Sequence, residues 1–371
     1  MKKTTTLGGA LAPAASPSVV APRKLRLVSL FMLILNCAAS YTRSVKPLLV
    51  LALALPLAAA DPVRIIFDTD MGNDVDDAVA LAILHALESR GESKLLAVTV
   101  TKDNSFAAPY IDIVNTFYGR KDIPIGVVKG GKTPQDAPMI RVPVEKKAPN
   151  GKPLYPRHLT DGTQAPDAVG LLRRVLAAQP DRSVAVVQVG FSTNLARLLD
   201  SAPDSASPLS GRDLVARKTT LLSIMAGAFP SGKKEYNVFI DIPSARKVFA
   251  DWPGPIVFSG WEVGNSMHFP ATSIEKEFAY AANHPVVDAY RAYKKMPYDR
   301  PTWDPTAALY AVRPDRGYFS LSQPGRVTVD DQGVTLFTPA ADGNHRYLTV
   351  NEVQKARTLE AMIVLASQPP R

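Results

Sequence analysis

The sequence has a single cysteine, Cys37, in 371 residues. One thiol cannot build a disulfide framework. Because it lies in the first tenth of the chain, it also excludes a zinc–thiolate centre or a catalytic thiol in the body that follows. Acidic side chains are missing from the first 60 positions, which carry Lys2, Lys3, Arg23, Lys24, Arg26, Arg43 and Lys46. The net charge is +9, but beyond that leader 36 basic residues face 34 acidic ones. The basic excess therefore belongs to the leader and does not mark a nucleic-acid-binding surface, and no nucleic-acid partner is expected. Long hydrophobic runs are also missing: neither apolar stretch of the leader, 27–35 or 48–57, reaches the ~18 residues of a spanning helix. Beyond the leader there is no internal repeat and no low-complexity segment.

What the leader does contain is the pattern of a targeting segment. Arg43 and Lys46 form a basic region, residues 48–57 an apolar one, and Ala58-Ala59-Ala60 the small residues that precede a cleavage site at Asp61. This predicts a signal peptide and export to the periplasm or the cell exterior, with a lipoprotein or an N-terminal anchor as the alternative. The expected division is a leader of residues 1–60 and a catalytic domain of residues 61–371, with no stable membrane insertion once the leader is removed.

The body of the chain alternates between strand-like and helix-like runs. Strands are expected at 63–67, 94–100, 123–128, 183–189, 219–225 and 255–258, and helices at 78–87, 107–118, 165–178, 244–250 and 306–312. Residues 130–163, rich in Pro, Gly and Lys, have no clear period and read as a long irregular excursion. Residues 326–338 read as a hairpin turning at Asp331-Gln332-Gly333, and Asn351 with Gln354 as a capping box for a last helix ending at Ala366. The pairs Arg173-Arg174 and Lys233-Lys234 read as solvated basic faces. Together these elements predict a single Rossmann-like α/β domain. Its central sheet is mostly parallel with helices on both faces, and a small antiparallel part lies near the C-terminus.

The most charged stretch is Asp68-Thr69-Asp70-Met71-Gly72-Asn73-Asp74-Val75-Asp76-Asp77, set between an apolar strand and an apolar helix. Five carboxylates in ten residues repel one another unless a cation or solvent neutralises them, and an open α/β sheet presents its site on such strand-to-helix loops. An EF-hand loop fails, because its sixth position from Asp68 is Asn73 where Gly is required. A phosphatase with a nucleophilic Asp-x-Asp fits Asp68-Thr69-Asp70 but not the crowding charges of Asp76-Asp77.

The same stretch resembles the N-terminal signature of the inosine–uridine-preferring nucleoside hydrolases, with two extra residues between the second Asp and the Asp-Asp pair. Val189-Gly190-Phe191-Ser192-Thr193-Asn194, Glu235-Tyr236-Asn237 and Trp303-Asp304-Pro305-Thr306 resemble further family segments in the same order. The resemblance implies a nucleoside hydrolase fold and one Ca²⁺ held by Asp70, Asp77, the carbonyl of Val189 and Asp304. It also implies a ribose pocket of Asp76, Asn104, Glu235, Asn237 and Asp304, with Met225 beneath the sugar. The reaction so implied is hydrolysis of the N-glycosidic bond of a ribonucleoside by a metal-activated water, with Asp70 as general base, giving free base and ribose. A homo-oligomer, dimer or tetramer, is implied on the same ground.

The chain departs from the pattern at Trp303, where many members carry a histidine that protonates the leaving base. An indole N–H is no acid at neutral pH, so Trp303 is expected to stack on the base or close the pocket. His158, in His158-Leu159-Thr160-Asp161-Gly162, is the candidate acid; His85, His268, His284 and His345 read as structural. The alternatives are a hydrolase of another N- or O-riboside and a ribose- or nucleoside-binding protein without catalysis.

Overall fold

The computed structural model describes residues 61–371; the leader expectations fall on residues 1–60, outside that range. Strands β1 (Val63–Thr69), β2 (Ser93–Lys102), β3 (Ile125–Lys132), β4 (Val184–Gln188), β5 (Thr219–Met225) and β6 (Ile256–Ser259) pair in parallel, in the order β3-β2-β1-β4-β5-β6. Beyond a small antiparallel pair, β7 (His268–Phe269) and β8 (Arg300–Pro301), the sheet is extended by β9 (Ser320–Leu321), β10 (Gly325–Val329), β11 (Thr335–Pro339) and β12 (His345–Thr349). β12 runs parallel to β6, while β9 and β10 are antiparallel to β12 and β11 is antiparallel to β10. The expected mostly parallel sheet with a small antiparallel part near the C-terminus is therefore present.

The two-residue period of the strands divides the core between two faces. Ile65, Phe67, Ala185 and Val187 join one apolar cluster, with the helices Asp76–Ser89, Ala107–Phe117, Trp303–Val312 and Glu352–Ala366. Ile66, Val184 and Val186 join the other, with the helices Ala168–Ala177, Thr193–Asp200, Gly211–Lys218 and Ile242–Asp251. The helix Asp76–Ser89 is buried continuously from Asp76 to Leu87, as its unbroken apolar run requires. No helix among the described residues is long and apolar enough to cross a membrane.

Several expectations change. The excursion 130–163 contains a helix, Pro138–Glu145, whose period is obscured by Pro143 inside it but which buries Met139, Ile140 and Val144. The helix expected from 165 begins at Ala168, because Asp167 caps it by accepting from the Gly170 N–H. Arg173 is not solvated. Its side chain is 2% exposed and donates to Ser201, Asp204 and the carbonyls of Ser207 and Leu209. The hairpin turn and the last helix fall where expected. Asp330 accepts from the N–H groups of Gln332 and Val334, and Asn351 and Gln354 cap each other reciprocally.

Candidate active site

Strand order reverses direction between β1 and β4, and such a switch point opens a crevice at the carboxyl ends of the strands. The acidic loop leaves β1 there, and Val189-Gly190 leaves β4 beside it. The two turns touch. A Cβ on Gly190 would lie 2.4 Å from Thr101 Oγ1 and 2.5 Å from the Asp70 nitrogen, so only glycine fits. A cavity of about 460 Å³ opens at this point. Of the residues expected at the site, Asp70, Asp76, Val189, Met225, Glu235, Asn237, Trp303 and Asp304 line it.

Asp76, Asp77 and Asp304 are buried, with one oxygen of each within 4.8 Å of the others. Asp77 sits behind the cavity wall. One of its oxygens accepts from Thr69 Oγ1, and the other, Oδ2, is buried without a hydrogen-bond partner among the described residues. Asp76 accepts from the Asp304 N–H at 3.0 Å. Burial, reinforced by the neighbouring carboxylates, holds all three well above the usual carboxylate range. Asp70 lies outside this trio. Its Oδ2 accepts from Asn73 Nδ2 at 2.8 Å, while Asn73 Oδ1 accepts from the buried Lys102 ammonium at 2.9 Å. Burial pushes Asp70 up to about 7, against the hydrogen bond from Asn73.

The remaining acids of the loop have structural duties. Asp68 is buried below the cavity, accepting from Thr99 and Asn194, and Asp74 makes a two-pronged ion pair with Arg300. Glu235 is buried in the cavity wall. Its carboxylate accepts from the N–H groups of Gly227, Asn237 and Val238, starting the short helix Tyr236–Phe239, and burial raises it to about 7. Asn237 Nδ2 donates to the Val189 carbonyl at 2.7 Å and to Met225. That carbonyl retains a second lone pair.

Two expected residues are not brought to the cavity. Asn104 accepts from the Phe106 N–H through Oδ1 and donates to the carbonyls of Pro134 and Gln135, so its amide is occupied in holding the loop after β3. His158 is 59% exposed on its loop and faces Asp112, with Nδ1 3.6 Å from Oδ1. It does not line the cavity wall. The other histidines are elsewhere. His85 and His284 are buried among aromatic rings and pushed down to about 3 by burial; His345 accepts from the Val327 N–H, and His268 is exposed.

The wall also contains residues to which the sequence reading gave no site role: Asn73, Asp74, Lys234, Tyr236, Phe239, Trp261, Tyr293 and Arg300. Asn73 stood inside the acidic loop and was readable as a partner for its carboxylates. Arg300 pairs with Asp74 across 226 positions, and nothing local in the sequence signals that. Trp303 Nε1 donates to the Trp261 carbonyl at 3.0 Å, so the indole is fixed in place.

The fold has known counterparts. The chain superimposes on an inosine-uridine preferring nucleoside hydrolase from Bacillus anthracis with a TM-score of 0.61 and 18% identity, covering 82% of this chain and 99% of that one. A plant nucleoside hydrolase gives 0.57 and 20%, covering 83% and 100%. A purine-preferring ribonucleoside hydrolase from Gardnerella vaginalis gives 0.60 and 16%, covering 82% and 98%. At these identities the likeness establishes the fold. No curated protein sequence matches the chain. Residues 65–362 match the family described as inosine-uridine preferring nucleoside hydrolase. The chain belongs to that family of N-ribosyl hydrolases.

Proposed function

We propose that the protein hydrolyses the N-glycosidic bond of ribonucleosides, releasing ribose, with a Ca²⁺ ion held at the acidic cluster. The observation that carries this reading is convergence at the switch point. Side chains from positions 70–76, 189, 225–237 and 303–304 line one cavity, and three buried carboxylates stand within 4.8 Å of one another behind and beside it. A trio this buried, with Asp77 Oδ2 left unpartnered, fits a cation. An all-oxygen donor set selects a hard one such as Ca²⁺. Asp76, Asp77 and Asp304 would hold it, with Asp70 and the Val189 carbonyl alongside. When bound, the ion neutralises the carboxylates and lowers the pKa of a water beside the sugar.

The chain's own groups supply the rest. Asp70, oriented by Asn73, accepts the proton of the attacking water. Asp76, Glu235 and Asn237 present oxygen and amide groups to the ribose hydroxyls, while Met225, at the end of β5, forms an apolar floor. Negative charge around the anomeric carbon stabilises the positive character that develops there as the bond breaks. Asn104 and His158 have no place in this scheme in the conformation described.

In the test, purified protein with Ca²⁺ is offered inosine, uridine and adenosine, and ribose is measured. Wild type releases ribose, and Asp70→Asn is about 10²–10⁴-fold slower with an unchanged circular dichroism spectrum. Undiminished turnover by that variant would remove Asp70 from the mechanism. Export, with a mature N-terminus near Asp61, is part of the same proposal. Sequencing the N-terminus of protein secreted by the native host checks it.

A further inference from the structure

Beside its carboxylates and amides and the apolar Val189 and Met225, the cavity wall is aromatic and cationic, with Trp261, Tyr293, Trp303, Arg300 and, at the mouth, Lys234 among its residues. No histidine lines it. Trp303 has its indole N–H on the Trp261 carbonyl. Arg300 is the fixed cation of this wall. Its guanidinium carbon lies 5.1 Å from the ring centres of both Tyr293 and Trp303. Its Nε and Nη2 are taken by the two oxygens of Asp74, while Nη1 donates to no protein group among the described residues. Asp74 belongs to the acidic loop after β1, and Trp303 directly precedes Asp304. Arg300 joins them.

We propose that Arg300 is the specificity-determining residue of this cavity, and that the preferred substrates are ribosides whose aromatic aglycone departs as an anion. An arginine cannot give up its proton, so it acts through charge and through the free Nη1–H, in the manner of an oxyanion site. Trp261 and Trp303 offer aromatic surface to the departing ring. The bond between C1′ and the aglycone breaks, and its electron pair leaves with the aglycone towards Arg300. The water oxygen bonds to C1′, its proton passes to Asp70, and solvent protonates the aglycone after release. Asp74 fixes the guanidinium so that it faces the cavity before substrate arrives, and Lys234, exposed and without an ion pair among the described residues, adds positive charge at the mouth.

The inference rests on the ribohydrolase reading above, and one experiment separates the two. Wild-type protein with Ca²⁺ is assayed on a series of phenyl ribosides of graded phenol acidity, including 4-nitrophenyl riboside, and on inosine. The expected result is a fall in kcat/KM of about tenfold for each unit rise in phenol pKa, as when no proton reaches the leaving group, with 4-nitrophenyl riboside far ahead of inosine. Arg300→Met is expected to lose about a hundredfold on 4-nitrophenyl riboside while ribose still inhibits at the wild-type concentration. Arg300→Lys is expected to recover part of that loss. A flat dependence on phenol pKa in the wild type, or inosine cleaved as fast as 4-nitrophenyl riboside, overturns the inference and leaves the ribohydrolase reading standing. Ribose from none of the substrates overturns both.

Discussion

Single residues decide what this loop does with its five acids. Asp70 is aimed by Asn73, which is itself anchored by Lys102; Asp77 is buried with an unpartnered oxygen; Asp74 is neutralised by Arg300. Opposite signs are therefore expected for one variant in two conditions. Asp77→Asn removes a carboxyl that burial holds well above its usual range, so the metal-free protein should gain stability at neutral pH, while the stabilisation added by Ca²⁺ should disappear. Thermal denaturation with chelator and with Ca²⁺ checks both, and a Ca²⁺ shift equal to that of wild type would take Asp77 out of the cation site. Asn73→Ala should slow turnover by mispositioning Asp70 and lower Ca²⁺ affinity less than Asp77→Asn does, measured by calorimetry alongside ribose release. The acids were legible because their number and spacing are local. Asn104 does not line the cavity, and a motif does not reveal that its amide oxygen accepts from the Phe106 N–H. Arg300 was missed because its partner is far away in sequence.

The elements were largely legible where one period dominated. The buried strands and the helix Asp76–Ser89 announced themselves by continuous apolar runs. The helix Pro138–Glu145 did not, because Pro143 breaks the expected pattern while its neighbours still bury Met139 and Ile140. What positions the site is the contact between the β1 and β4 turns, and it can be tested at that scale. Gly190→Ala forces a methyl against Thr101 Oγ1 and the Asp70 nitrogen, which should cost about 1–3 kcal/mol, read as a lower urea midpoint, and also reduce turnover because the Asp70 loop must move. As a control, Asn351→Ala removes the cap of the last helix at about 1 kcal/mol and should leave turnover unchanged, since Asn351 is not in the cavity wall.

For the whole molecule, the α/β class followed from alternation, but the strand order did not. The chain's return to set β12 beside β6 depends on pairing across some ninety positions, which no local pattern carries. The assembled molecule concentrates buried acids at one end of the sheet, and this gives its stability a pH dependence of definite sign. Asp68, Asp70 and Glu235 are raised to about 7 by burial, and Asp76, Asp77 and Asp304 are raised well above the usual range. Between the ordinary carboxylate pKa and the raised ones the folded chain binds more protons than the unfolded chain. The stability these groups contribute is therefore fully present below about pH 4 and is lost as pH rises, through about 7 for Asp68, Asp70 and Glu235. Metal-free protein should melt at a higher temperature near pH 5 than near pH 7.5, and saturating Ca²⁺ should narrow the difference.

The account stands or falls on one titration. Protein stripped with a chelator is assayed for ribose release from a ribonucleoside while Ca²⁺ is added stepwise, with Asp304→Asn alongside. The wild type should be silent without the ion and rise to saturation as a single class of site fills, and Asp304→Asn should stay silent throughout. Ribose release at full rate in the stripped protein, or in Asp304→Asn without added ion, would contradict a cation-dependent hydrolase built on this cluster.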